Sequence, residues 1–475
     1  MSDHGTESVE RKKYAQWVLA TSLLATFLTV VNSSAVNIAI PTLMQEFEVS
    51  IDLIAWIVTG YMLPYSVLMP MFGQLGDLFG RKTVFIIGLG VFLVGSLMAS
   101  AAGTFAFLLA ARVVQAIGAS CVLPNGMALV THVFPAEQRG RVLGVWGGVA
   151  AFGAVIGPTM GGYLVEFANW RAIFFINVPL GLLALLLCIF KIQEVRDGQV
   201  KSFDFGGALT LAVSIFSLMF AVTLIESFGL LSLPIMLLLL NFVVFFYLFY
   251  RIEKGIHYPM VDFSLFRNRT FVAATIGGFI QMFNIYAIVL PIPIFLQNVA
   301  GIGTAQTGLY LVSYSLTQSV ISPLGGWAAD RFNKKMPAVL GMVLCALSFI
   351  MLSRMDMDTA GTAVITRLVV GGIGIGVMTS ALIGSVIDTS PPEKIGVSSG
   401  LYNMIRFIGA VFSATILGFV LSARSAFYEA HWPGAVSSVT QEIYGLVHAF
   451  HDVFLLTAAL SVLGVLVALQ IRTGR

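Results

Sequence analysis

Charge is what this sequence has least of. Of 475 residues only 10% are Asp, Glu, Lys or Arg, against 58% apolar and a mean hydropathy of +0.92. A water-soluble domain carries about 25% charged residues, so this chain cannot cover a folded surface for water. Its solvent is mostly lipid, where backbone polar groups must be satisfied inside helices or a closed barrel. The apolar runs reach about 20 residues instead of alternating over about ten, which selects helices. Cysteine is scarce too. Cys121, Cys188 and Cys345 stand far apart in apolar runs and read as small core residues. There is no G-x-x-x-x-G-K-[ST] loop and no stretch long enough for a soluble nucleotide-binding domain, which excludes ATP as the energy source. The glycine-rich runs follow no strands, and no paired acids or nucleophile–base set stands out for catalysis. His4, His132, His257, His431, His448 and His451 lack metal-ligand spacing. The expectation is a non-enzyme without metal, cofactor or nucleic-acid partner.

What is present is a succession of apolar segments. Fourteen are expected, at 15–40, 52–75, 84–103, 105–132, 141–166, 171–191, 206–226, 230–250, 270–297, 305–328, 337–353, 361–386, 396–422 and 447–470. The polar start, Met1 to Lys13, has no cleavable-signal pattern, and the first run is long enough to be retained. An even count places both termini on one side. Of the 26 Lys and Arg, only Arg171, Arg354 and Arg424 then face the opposite side, while Arg112, Arg367 and Arg406 fall within or near span ends. All the others share the side of the termini, which the positive-inside rule makes cytoplasmic. An integral inner-membrane (plasma-membrane) protein with cytoplasmic termini follows as the expectation.

The chain repeats itself. Pro135, Glu137, Gly140 and Gly144 in "FPAEQRGRVLG" match Pro391, Glu393, Gly396 and Gly400 in "SPPEKIGVSSG" at a constant offset. "GQLGDLFGRK" (73–82) is echoed by "GGWAADRFNKK" (325–335), and "RVVQAIG" (112–118) by "RLVVGGIG" (367–373). Two related six-helix halves are expected, residues 1–191 and 270–475. A linker at 192–269 carries two unmatched helices, 206–226 and 230–250.

Three motifs carry mechanism. In the first, Gly73 and Gly80 allow a tight turn, Asp77 can cap a neighbouring helix or pair with Arg81, and Arg81 and Lys82 hold the turn inside. Asp330 stands in the echo of this turn. The second is the run Gly147–Gly162, including Gly153, Gly157, Pro158, Gly161 and Gly162. It gives a smooth face and a kink point for a sliding contact between halves. The third is Arg112, an ionisable residue in or near the membrane, which by default faces a partner or a cavity.

The glycine turn, Arg112-x-x-Gln115, the Gly-Pro-Gly-Gly run and "WRAIFFINVPLG" (170–181) together resemble the major facilitator superfamily. More narrowly they resemble its fourteen-helix drug:proton antiporters of the EmrB/QacA type. The resemblance covers the whole chain. It implies an all-α polytopic fold, alternating access by two six-helix bundles, and proton-driven efflux of amphipathic, lipophilic or cationic compounds. One departure stands out. Where that family carries an acidic residue in "DxTIVNVALP", this chain reads "VVNSSAVNIAIP" with Asn32, which cannot titrate. The candidates for coupling are then position 32 itself, Arg112, Glu226 and Asp388, the last two at span ends. The central cavity is expected to be lined by Asn32, Tyr61, Arg112, Gln115, Gln281, Asn284, Tyr286, Tyr310, Tyr314, Asn403 and Arg406. Expected partners are small-molecule substrates, protons and membrane lipids, and one chain holding both halves suffices as a monomer. The rivals are a lipid-linked sugar flippase or metabolite exporter, and a non-transporting sensor or scaffold.

Overall fold

The computed structural model describes residues 3–49, 51–54, 56–195, 204–229, 231–256, 261, 263–357, 359, 361–391, 395–431 and 438–472. Part of the 192–269 linker therefore lies outside the described residues. All regular structure among them is helical. The long helices are α1 (Asp3–Phe47), α2 (Trp56–Phe79), α3 (Arg81–Ser100), α4 (Phe105–Val133), α5 (Ala136–Phe167) and α6 (Arg171–Phe175 continuing as Asn177–Lys191). They continue with α7 (Phe205–Phe228), α8 (Leu233–Gly255), α9 (Arg269–Val289), α10 (Thr304–Arg331), α11 (Lys335–Leu352), α12 (Gly361–Thr389), α13 (Ile395–Ala430) and α14 (Ser438–Ala468). Side-chain caps start several of them. Thr104 accepts from the Phe107 N–H, Asp204 from Gly207 and Asn268 from Thr270, each satisfying an amide that the first turn leaves open.

Among the described residues, twelve helices are long and apolar enough to cross a bilayer by length and composition. The expectation of fourteen spans is corrected to twelve on that criterion. The two that fall short are α2 and α10, expected as spans 52–75 and 305–328. Each is a long helix, but α2 carries Pro64, Pro70 and Gln74, and α10 carries Gln306, Gln318 and a series of Ser and Thr. The reason is where they face: α2 packs on α13 and α10 packs on α5. A helix that meets protein along its length need not be as apolar as one that meets lipid.

Two bundles result. In the first, α1 packs on α4, α5 and α6, α3 on α4 and α6, and α2 on α4; in the second, α9 packs on α12, α13 and α14, α10 on α12, and α11 on α12 and α14. The bundles meet mainly along α5–α10 and α2–α13, with α5 also reaching α12 and α4 reaching α13. α8 packs chiefly on α7, but α7 lies across both α2 and α13. Ser66 on α2 donates to Met219 Sδ at 3.3 Å, and Trp56 packs on Phe220 with centroids 5.3 Å apart. The inserted hairpin therefore borders the seam between the halves.

Candidate functional site

The turn between α2 and α3 shows how local sequence sets the seam. Gly80 joins the helices at φ +105°, a region costly for a residue with a Cβ. The Glu194 carboxylate accepts from the Lys82 and Thr83 amides at 2.9 and 3.0 Å and so caps α3, and Lys82 Nζ donates to the Ile189 carbonyl at 2.9 Å. Lys82 is thus tied to the end of α6 in its own half. Asp77, buried in the last turns of α2, receives Arg81 Nε at 3.3 Å on Oδ1. Its Oδ2 accepts from the Val397 N–H at 3.3 Å, at the start of α13 in the other half. Both roles considered for Asp77, capping a neighbouring helix and pairing with Arg81, are filled at once.

The second half answers in kind. Asp330, at the end of α10, accepts from the Gly140 and Arg141 amides of α5 at 2.8 Å each. Gly140 and Gly396 are repeat partners, as are Arg141 and Val397. Each half therefore offers a carboxylate from the end of one helix to the first turns of a helix in the other half, where N–H groups and the helix dipole favour negative charge. These contacts close the face that carries the basic turns. Asp330 lies beyond the expected 305–328 span, and burial pushes its carboxyl above the usual range. The Arg141 and Gly140 amides oppose that shift.

Close backbone approach completes the closure. A Cβ at Gly144 would meet the Ser322 carbonyl and, at 2.8 Å, Pro323 Cα; one at Gly148 would lie 2.7 Å from the Ser319 carbonyl. All three neighbours belong to α10. The later glycines of α5 point elsewhere. Gly153, Gly157 and Gly161 face Phe27, Ser34, Ala35 and Ile38 of α1, within the same half. Pro158 is half-buried beside them, and a Cβ at Gly162 would meet nothing. The expected sliding contact between halves is corrected accordingly: it lies at Gly140, Gly144, Gly147 and Gly148, and the rest of the run packs α5 on α1. The helix is straddled by two partners, so one small-residue run serves two interfaces.

Deeper in the first half, Asn32, Arg112 and Gln115 are buried and joined. Arg112 Nη1 donates to Gln115 Oε1 at 2.9 Å and Nε to the Ile57 carbonyl at 3.1 Å, and its guanidinium lies 4.2 Å above the Tyr61 ring. Gln115 Nε2 donates to Ser96 Oγ at 2.8 Å and to Asn32 Oδ1 at 3.3 Å. Asn177 Nδ2 also donates to Asn32 Oδ1, at 3.0 Å. Asn32 Nδ2 is buried without a partner. The hydrogen bonds that the Asn32 side chain makes with Gln115 and Asn177 are ones it accepts, so that side of its surroundings suits an acceptor-only group.

Ser96 and Asn177 were missed at the sequence level. Asn177 is a lone amide inside the apolar run 171–191, a signal that was there to use. Ser96 carries none, because a serine that bonds back to the Phe92 carbonyl is at home in any membrane helix.

In the second half, Gln281 Nε2 donates to Thr379 Oγ1 at 2.7 Å, and Asn284 Oδ1 accepts from Ser461 Oγ at 3.2 Å. Asn403 accepts Arg406 Nη1 at 3.0 Å. Tyr314 is buried with its hydroxyl unpartnered. Tyr310 bonds Gln306 near the opposite end of α10, away from this group. Across the seam, Tyr286 Oη lies 3.9 Å from Met62 Sδ, and Tyr65 stands edge-on to Phe407 at 5.1 Å while stacking on Tyr61 at 5.4 Å. Of the coupling candidates, Asp388 pairs with Lys334 at the basic face within its own half. Glu226 sits near the end of α7, and its side chain lies outside the described residues. Among the described residues no cluster of His, Cys, Asp or Glu could hold a metal ion.

With two bundles, a seam closed at one face and polar groups along it, comparison with known proteins becomes informative. The sequence profile of the Major Facilitator Superfamily matches residues 22–414 and 274–472. The chain belongs to the Major Facilitator Superfamily. It is 31% identical over 426 residues to the multidrug resistance protein Stp of Mycobacterium tuberculosis, covering 89% of this chain and 79% of that protein. It is 29% identical over 390 residues to the riboflavin transporter RibZ of Clostridioides difficile, covering 82% and 84%. The fold matches the crystal structure of the human organic anion transporter MFSD10 with a TM-score of 0.67 at 15% identity, over 96% of this chain and 99% of that one. This superfamily member is therefore a membrane-integral transporter. The relatives' names span a multidrug resistance protein and a riboflavin transporter, so substrate must be argued from the site.

Proposed function

We propose that the chain is a secondary exporter of small amphipathic compounds that works by alternating access between its two bundles. The observation that carries this is the reciprocal pair of caps, Asp77 onto α13 and Asp330 onto α5. A gate built from a few exchangeable hydrogen bonds and bare glycine contacts closes the basic face, and it can part without unfolding either bundle. The distribution of Lys and Arg makes that face cytoplasmic, with both termini inside a plasma (inner) membrane. In this reading α2 and α10 are the thirteenth and fourteenth spans, with Leu309, Leu316, Val320 and Leu324 as the exposed apolar face of α10, and the protein acts as a monomer. Similarity to multidrug resistance proteins supports export of varied compounds, and the Tyr, Phe and Met side chains around Tyr65, Phe407 and Met62 offer a surface that can repack around them.

Proton antiport is the energy source the resemblance implies. Asn32 cannot carry the proton, and among the described residues no carboxylate joins its network. In this reading the chain exchanges substrate down its own gradient, and tight proton coupling needs an acid restored at position 32. Purified protein in proteoliposomes, loaded with neutral, anionic and cationic fluorescent dyes in turn, tests the core of the proposal by counterflow. Saturable exchange of at least one dye is expected. Exchange of none would leave the non-transporting scaffold as the correct reading.

A further inference from the structure

Two arginines lie inside the helix bundles with no carboxylate beside them among the described residues. Arg406 is eleven residues into α13 from its basic-face end, about 16 Å along the helix and so near the centre of a hydrocarbon core of about 30 Å. Arg112, in the other half, is fully buried. Four carboxylates of the described helices are engaged elsewhere: Asp77 with Arg81, Asp388 with Lys334, Asp452 with Arg424, and Asp330 on backbone amides. Among the described residues neither central guanidinium has a carboxylate partner.

The two arginines are not equivalent. Arg112 is satisfied by a carbonyl, an amide oxygen and a tyrosine face. Arg406 has one amide oxygen, that of Asn403, its guanidinium lies 5.5 Å from the Tyr402 ring centroid against 4.2 Å for Arg112 over Tyr61, and its Nη2 lies 4.0 Å from Met282 Sδ. Its Nε is buried with no acceptor. It sits where the halves meet: the neighbouring Phe407 ring stands edge-on to Tyr65 of α2 at 5.1 Å. A guanidinium with spare donors, half removed from water and facing aromatic rings, is costly until an anion fills its fork.

We infer that the central site takes organic anions carried on an aromatic body, with Arg406 holding the carboxylate or sulfonate and Tyr65, Tyr286 and Phe407 holding the rings. This rests on the export reading and names its substrate class. It departs from the cationic compounds that the resemblance implies. A buried carboxylate is the strongest partner for a lipophilic cation, and the position where the resemblance implies one is Asn32.

Fluorescein and rhodamine 123 share a ring skeleton and differ in charge, which makes them a matched pair for counterflow in proteoliposomes. The expected result is saturable fluorescein exchange with a KM at least tenfold below that for rhodamine 123. Arg406→Gln raises the fluorescein KM about tenfold, Arg406→Lys recovers part of the loss, and Arg406→Glu reverses the preference. If rhodamine 123 exchanges and fluorescein does not, the chain is an exporter and the anion inference fails. If neither dye exchanges and the wider dye panel is also inert, the export reading fails and takes this inference with it. A fluorescein KM unchanged in Arg406→Gln and Arg406→Lys, both monodisperse, overturns the role given to Arg406.

Discussion

Removing the Asp330 carboxylate isolates one element of the gate. Asp330→Ala takes away the acceptor for two amides, Gly140 and Arg141, both at 2.8 Å. A typical intramolecular hydrogen bond contributes about 1 kcal/mol net. Asp330 is half-buried, and water can reach freed amides at the surface. The closed state should therefore lose about 1–2 kcal/mol relative to the open one, a shift of about 5- to 30-fold in the equilibrium. Asp77→Ala is a less clean perturbation because it also leaves Arg81 buried without its carboxylate, a defect worth several kcal/mol in its own right.

The charge itself works in the other direction. Burial raises the Asp330 carboxyl above its ordinary value in the closed state, whereas in the open state it faces water and takes that ordinary value. The closed state thus binds the proton more tightly, so acidification at this face favours closure and the contribution is lost as pH rises through the raised value. Asp330→Asn keeps one acceptor oxygen for one of the two amides but turns an NH2 toward the other, so it should open less than Asp330→Ala and lose the pH response. Spin labels at Gln138 and Phe332, exposed on α5 and at the end of α10, report the separation of the halves. Unchanged distance distributions in Asp330→Ala would refute the cap as a gate element. So would opening in Asp330→Asn equal to that in Asp330→Ala.

Three further outcomes follow from the same geometry. Asn32→Asp places a titratable acceptor where Gln115 and Asn177 already donate, so imposed pH gradients should accelerate transport more in the variant than in the chain as it stands; equal gradient dependence of both would remove position 32 from coupling. Gly144→Val drives side-chain atoms into the Ser322 carbonyl and Pro323, so thiol reagents should reach a cysteine placed on the gate-facing side of α10 at least tenfold faster, and protection equal to the parent would contradict the close approach. Asn177→Ala removes a buried donor to Asn32 and should cost about 1–3 kcal/mol, read as a lower midpoint in detergent thermal unfolding, whereas an unchanged midpoint would mean that the bond contributes nothing net.

Much of this protein was legible in its residues because the signals are local. Scarce charge and long apolar runs specify membrane helices, since hydrophobicity is summed over consecutive residues. Gly80 marks the turn after α2, because only a residue without a Cβ adopts its backbone angle cheaply. The repeat of Gly140 and Gly144 at Gly396 and Gly400 points to two related halves. The Asp77 turn could be recognised as a cap in search of a helix. What remained hidden depends on the rotation and tilt of one helix against another, which packing sets and no short window encodes. Only the tertiary structure decided that Asp77 caps α13 and Asp330 caps α5. It also showed that the glycines of α5 divide between α10 and α1, that α7 borders the seam, and that Asn32 is wrapped by donors from α4 and α6. The same holds for Arg406: its sequence marks a charge inside a helix, but the lack of a carboxylate beside it is a property of every neighbouring helix at once.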